Sequence, residues 1–199
     1  MLALSVSACA TTTETITTQT AQSAFRTPVD GKTDAGFVVG PLTRSFSNHN
    51  AEGDGYANTI GPLIEGGFGA AAGILPTTTV LAQPDSGSIS YDANFIVRAL
   101  VGIGETDGQV HAFSVGQNGQ IELTADFGAN TLTGSADQFS VDGVLDENGT
   151  GMSGTVRWTD QTGALIGQVG SDEVIGAFQG HSDTTVFTGG FIGTAQPTP

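Results

Sequence analysis

From Ser88 onward, apolar residues stand at every second position. Ile89, Tyr91, Ala93, Phe95, Val97, Ala99 and Val101 alternate with Ser88, Ser90, Asp92 and Asn94 on the other parity. A period of two is the mark of a strand that buries one face. The pattern returns in Ile121, Leu123, Ala125 and Phe127 against Glu122, Thr124 and Asp126. It returns again in Met152, Gly154, Val156 and Trp158 against Ser153, Thr155, Arg157 and Thr159. Turn signals punctuate the runs: Asp107-Gly108, Asn118-Gly119, Gly128-Ala129-Asn130, Asn148-Gly149, and Asp160 to Gly163. Further strands are expected at 110–115, 131–135, 139–145 (bulged near Asp142-Gly143), 164–169, 174–180 and 184–194. About eight short strands at even spacing read as a sandwich or an up-and-down barrel. Gly154, Gly176, Gly180, Gly189, Gly190 and Gly193 permit the sharp coiling that closure needs. The expected fold is therefore all-β: an eight-stranded antiparallel up-and-down β-barrel over residues 86–195. Its interior faces carry Phe, Leu, Ile, Val and Trp, so a packed core is expected, with Trp158 inside beside Val156 and Met152.

Residues 25–85 give a weaker signal and are read as a loop-rich segment with short strands that packs on the barrel. Phe37-Val38-Val39 suits a short strand, ended by Gly40-Pro41, and Asn48 to Asn58 reads as a polar loop. Gly66, Gly67, Gly69 and Gly73 interrupt any helix beyond a single turn around Phe68–Ala72.

Residues 1–24 read as a signal-peptide remnant and a flexible tether. Val6-Ser7-Ala8-Cys9 resembles the lipobox of bacterial lipoproteins, in which the cysteine is acylated and becomes the mature N-terminus. Met1-Leu2-Ala3-Leu4-Ser5 has the character of the end of an apolar signal region, whose beginning is expected further upstream. Cys9 is thus the expected lipid-attachment residue. Ala10 to Ala24, rich in Thr, Gln and Ala, has no apolar periodicity and suits a spacer. As the single cysteine, Cys9 also excludes an intramolecular disulfide framework and a thiolate-bound metal.

The charge balance excludes whole classes of partner. Lys+Arg number 5 against 20 Asp+Glu, for a formal net charge of −15. Lys32, Arg26, Arg44, Arg98 and Arg157 form no patch, so neither a nucleic-acid backbone nor an anionic lipid surface has cations to meet.

Three stretches of the body are similar to the β-barrel of the transferrin-binding protein B family of surface lipoproteins. Leu123-Thr124-Ala125-Asp126-Phe127-Gly128, followed by Ala129-Asn130-Thr131-Leu132-Thr133-Gly134, resembles its strand–turn–strand with aspartate-phenylalanine-glycine and leucine-x-glycine. Gly176-Ala177-Phe178-Gln179-Gly180 and Gly189-Gly190-Phe191 resemble its closing hairpin. Ser86-Gly87-Ser88-Ile89-Ser90-Tyr91 resembles its first barrel strand. Order and spacing agree over roughly 83–193. Two departures stand out. Gln179-Gly180-His181 replaces the family's tyrosine-glycine-proline, and Phe191 follows the paired glycines directly. The family's receptor has two lobes, each with a handle domain and a barrel, whereas this chain has room for one barrel. The resemblance implies the fold and a lipoprotein at the bacterial outer membrane or cell surface. Transferrin binding itself is not carried over, since single-barrel relatives bind other ligands, haem proteins and complement regulators among them.

His49, His111 and His181 have no histidine at i+2 or i+4 and read as surface residues, so no metal site is expected. Glu122 and Asp126 share one strand face, as a glycosidase pair could, yet acidic pairs are ordinary in a chain at −15. No Gly-x-Ser-x-Gly elbow is present. Asp146 to Thr150 and Glu52 to Gly55 have only a passing likeness to calcium loops. The expectation is a monomeric, non-enzymatic binding protein without cofactor. It recognises a protein ligand, host or environmental, through Ser45–Asn58, Asp107-Gly108 and Asp160–Gly163, and iron or haem acquisition is one setting. The alternatives are a lipocalin-like binder of a small hydrophobic ligand and a structural envelope protein.

Overall fold

The computed structural model describes residues 21–106, 109–147 and 149–197. Residues 1–20, with Cys9, lie outside the described residues, as do Asp107-Gly108 and Asn148. Twelve strands are described: β1 (Ala21–Phe25), β2 (Arg44–His49), β3 (Gly55–Pro62), β4 (Phe68–Ile74), β5 (Ser88–Thr106), β6 (Gln109–Asp126), β7 (Thr131–Ala136), β8 (Phe139–Leu145), β9 (Gly151–Trp158), β10 (Gln161–Val169), β11 (Glu173–Ser182) and β12 (Thr185–Ala195). Strands β5 to β12 close a barrel in the order β10-β11-β12-β5-β6-β7-β8-β9. Every pairing in it is antiparallel. This is the barrel that the alternation predicts.

The alternating residues turn inward as expected. Tyr91, Ala93, Phe95, Val97 and Ala99 share the buried interior with Ile121, Leu123, Met152, Val156 and Trp158. Aromatic rings fill it as a chain: Phe95 stacks on Phe139 at 4.4 Å, Phe139 meets Phe178 at 5.3 Å, Phe178 meets Phe187 at 6.5 Å, and Phe187 meets Trp158 at 5.9 Å. Interior glycines make the room. A Cβ on Gly176 would stand 2.2 Å from Cζ of Phe191, its cross-strand partner. Glycine on these strands thus yields its volume to a ring as well as easing the coil.

The other four strands form a separate sheet, ordered β1-β4-β3-β2, with β1 parallel to β4. This outer sheet lies face to face on the outside of the barrel. Ile60, Phe68 and Ala70 pack with Leu100, Ile103 and Val186, while Tyr56 and Ala72 pack with Ile175 and Ala177. The Thr188 hydroxyl lies 3.1 Å from the carbonyl of Ala71 and 3.0 Å from that of Phe178, and serves both sheets. Arg98 of β5 stacks on Phe46 of β2 at 5.3 Å and fastens the far margin.

Several expectations need correction. Residues 21–24, read as the end of a spacer, form most of β1. Phe68–Ala72 is a strand and no helical turn, because β3 and β1 pair with both of its sides. Residues 45–58 are a β-hairpin whose turn occupies only 50–54. Phe37 makes one isolated bridge, to Leu63, in place of a strand. Asn118-Gly119 is no turn: both residues sit in the ladder opposite Ile96 and Phe95. Gly119 is there because the Phe95 ring would stand 2.9 Å from its Cβ. Strand β8 runs in unbroken register past Asp142-Gly143, and the bulge falls instead between Val101 and Gly104 of β5. Gly163 is inside β10, and the turn before it consists of Thr159 and Asp160 alone.

Candidate functional site

The antiparallel order sets which loops share an end. The β5–β6, β7–β8, β9–β10 and β11–β12 connections lie at one end of the barrel, here the upper end. The β6–β7, β8–β9 and β10–β11 connections lie at the lower end. Since Ile60 and Phe68 pack near Leu100, Ile103 and Val186, the β3–β4 turn of the outer sheet points to the upper end. The β2–β3 turn points to the lower end, where Asn50 donates to Glu173 Oε2 at 2.7 Å. Two of the predicted recognition segments are therefore not brought together: residues 45–58 turn at the lower end, whereas Asp160–Gly163 stands at the upper end. The third, Asp107-Gly108, lies outside the described residues.

The upper end has a feature that the sequence reading missed. Seven of the ten exposed large apolar residues among those described are here: Val38, Val39 and Leu42 in the β1–β2 connection, Ile64 in the β3–β4 turn, and Val110, Phe113 and Val115 on β6. They stand in two groups, one from the loops of the outer sheet and one from β6. The first group is held by backbone bonds from Val38 N to Pro62 O and from Ile64 N to Gly36 O. The second stands on an arm, because β5 and β6 outrun β7 and β12: Phe113 is paired with Val101 and is 66% exposed. Asp137, Asp160 and Asp183, in the connections at this end, are exposed and keep it negative. Gln161 and Thr159 hydrogen-bond the Asp160 carboxylate and hold its pKa below the usual carboxylate range. The available signal was the stretch Gln109–Gln120, free of charge in a chain at −15.

The lower end is a junction of acids. Glu52, Asp54, Asp172 and Glu173 line a cleft of about 470 Å³ with Asn50 and Thr79. Each inner carboxylate has protein partners: Asp54 Oδ1 accepts from Thr79 N at 2.6 Å, and Asp172 Oδ1 accepts from Leu81 N and Glu173 N. Burial raises the pKa of Glu173 above its ordinary value. The hydrogen bond from Asn50 lowers it in part, and Asp54, Asp172 and Glu52 add to the rise. Among the described residues, no group of three His, Cys, Asp or Glu is arranged to hold a metal ion.

The remaining candidates have structural roles. Asp126 Oδ1 accepts from Gly128 N and Ala129 N at 2.9 Å each, which closes the β6–β7 turn. Glu122 is exposed on the outer face of β6. His49 Nδ1 lies 3.1 Å from the carbonyl of Asn50, and His181 Nδ1 lies 2.7 Å from Ser23 Oγ on β1. His111 is exposed, edge-on to Phe113 at 6.4 Å. Tyr56, buried between sheet and barrel, has its pKa pushed up to about 12 by burial. Trp158 is interior as predicted and donates to Gln117 Oε1 at 2.8 Å.

Fold and surface define a class: an all-β protein whose filled barrel carries a second sheet on its wall and gathers exposed apolar side chains at one end. No protein-family model matches the chain, and no curated protein matches it. Among solved structures it is similar to transferrin-binding protein B of Haemophilus parasuis Hp5, at 13% identity and a TM-score of 0.46 over 80% of this chain and 38% of that one. It is also similar to HpuA from Kingella denitrificans in complex with human haemoglobin, at 15% identity and a TM-score of 0.39 over 72% and 55%. A third match is a surface lipoprotein, at 11% identity and a TM-score of 0.46 over 78% and 76%. The chain spans about two fifths of the transferrin-binding proteins it matches. The likeness is distant and assigns no residue of this chain a role.

Proposed function

We propose that the chain is the folded part of a bacterial surface lipoprotein. It binds a protein ligand by contact and catalyses no reaction. The observation that carries this reading is the set of exposed apolar side chains at the upper end, from β6 and from the loops that join the outer-sheet strands. Rings from β5, β8, β9, β11 and β12 occupy the interior, which speaks against the lipocalin-like alternative. At −15 the chain favours a neutral or basic partner and faster association at low salt. A host protein that carries iron or haem is the proposed ligand class, on the sequence resemblance to the transferrin-binding protein B family. Attachment is through a lipidated Cys9 at the outer membrane or cell surface, with the protein a monomer.

The immobilised chain, challenged separately with serum, transferrin and haemoglobin, tests the binding role: retention with a salt-dependent on-rate supports it. Lack of retention in all three, with the chain firmly in the envelope, favours a structural envelope role. Lipidation is read separately: the natural precursor should incorporate palmitate and partition into detergent, and Cys9→Ala should do neither.

A further inference from the structure

The edge of β6 is left open above the barrel rim. Strand β7 pairs with β6 only from Leu123 to Asp126, and among the described residues nothing pairs with β6 on that side from Gln109 to Gln120. Phe127 donates its amide to Gly87, at the foot of β5. Odd-numbered residues of β6 therefore address β5, and even-numbered ones address the other side. That leaves the amides and carbonyls of Ala112, Ser114, Gly116, Asn118 and Gln120 in a row with no strand to meet. Where β6 and β7 part, a cleft of about 480 Å³ opens between Gln120 to Glu122 and Ser135 with Ala136.

Natural sheets protect such an edge with lysine, proline, a bulge or a covering loop. Gln109–Gln120 carries no charged residue and no proline. Its pairing with β5 is interrupted only by a bulge on β5 itself, between Val101 and Gly104. Phe113 and Val115 lie on the face of β6 that continues the barrel interior, and both are exposed. An edge that is long, neutral and flanked by uncovered apolar side chains is suited to strand addition.

We propose that this edge is the docking site. It takes one extended segment of a partner protein, apolar on the side that meets Phe113 and Val115 and neutral or basic beyond. The occupant follows from charge. Glu105 and Glu122 are exposed at the two ends of the open edge, and the chain as a whole is at −15. A second copy would bring the same acids and the same net charge against it, whereas a basic segment is attracted. The proposal rests on the reading of the chain as a protein-binding module and names the site.

The test selects twelve-residue peptides from a random displayed library on the full chain. Binding is then measured with the wild type, Ser114→Pro, which removes one outward amide, and Phe113→Ser, which keeps the backbone. Unchanged melting temperatures certify the folds. The expected peptides alternate apolar with polar residues and carry Lys or Arg. They slow amide exchange at Ser114, Gly116 and Asn118, and lose at least tenfold in affinity with both variants. Selection that yields nothing, peptides that bind both variants equally, or protection elsewhere would overturn the proposal. So would a concentration-dependent dimer protected at these same amides, since the occupant would then be a second copy. The functional reading fails separately: if peptides protect β6 while serum, transferrin and haemoglobin are not retained, the edge stands and that reading falls.

Discussion

The ring of Tyr56 occupies the space that a side chain on Gly190 would need: a Cβ there would come 2.6 Å from Tyr56 Cδ2 and Cε2. Tyr56 belongs to the outer sheet and Gly190 to β12, so this contact seats the one on the other. Gly190 also stands opposite Ala177 of β11, whose side chain joins the same cluster. Sheet and barrel are thus fitted by small residues on the barrel wall and a large one on the sheet.

Gly190→Val should disrupt that seat. Overpacking of this kind costs about 1–3 kcal/mol. Urea unfolding should show the loss, and Tyr56 should become accessible to solvent. Val at 190 with wild-type stability would mean that sheet and barrel are loosely joined.

Trp158→Ala should be the most damaging of these substitutions. Trp158 is buried against Phe187, and loss of such a side chain costs about 3–5 kcal/mol. Trp158→Phe keeps most of the packing and loses the bond to Gln117, at about 1 kcal/mol. Thermal unfolding of the pair should rank them in that order.

Glu173 gives a pH dependence with a definite sign. Burial raises its folded pKa above the ordinary 4.5. A raised carboxyl favours the fold while protonated, so its contribution is full below the unfolded value and is lost as pH rises through the folded one. Glu173→Gln keeps an acceptor for Asn50 and no longer charges. The variant should melt higher than wild type at pH 7, and the gap should close as pH falls below 4.5. A variant less stable at pH 7 would contradict this.

The barrel was legible because its strands bury one face each, so Ile121, Leu123 and Ala125 alternate with Glu122 and Thr124 and declare their period. The outer sheet was not. Tyr56 to Gly61 and Phe68 to Gly73 are buried throughout, so no alternation survives, and their Ala and Gly content reads as loop. Asn118-Gly119 misled for another reason: a strong hairpin dipeptide has there been used to admit the Phe95 ring. The upper end was illegible because Phe113 and Val115 keep the parity of core residues. The short reach of β7 and β12 exposes them.

The central claim is that a protein partner is engaged at the upper end. The direct measurement is amide exchange across the chain, alone and saturated with whichever of transferrin, haemoglobin or a serum protein it retains. The account predicts protection on the β6 arm around Ser114 to Asn118 and in the Val38 to Leu42 segment, with the lower-end acids around Asp54 and Glu173 unchanged. Protection confined to the lower end, with the β6 arm exchanging as in the free chain, would contradict it.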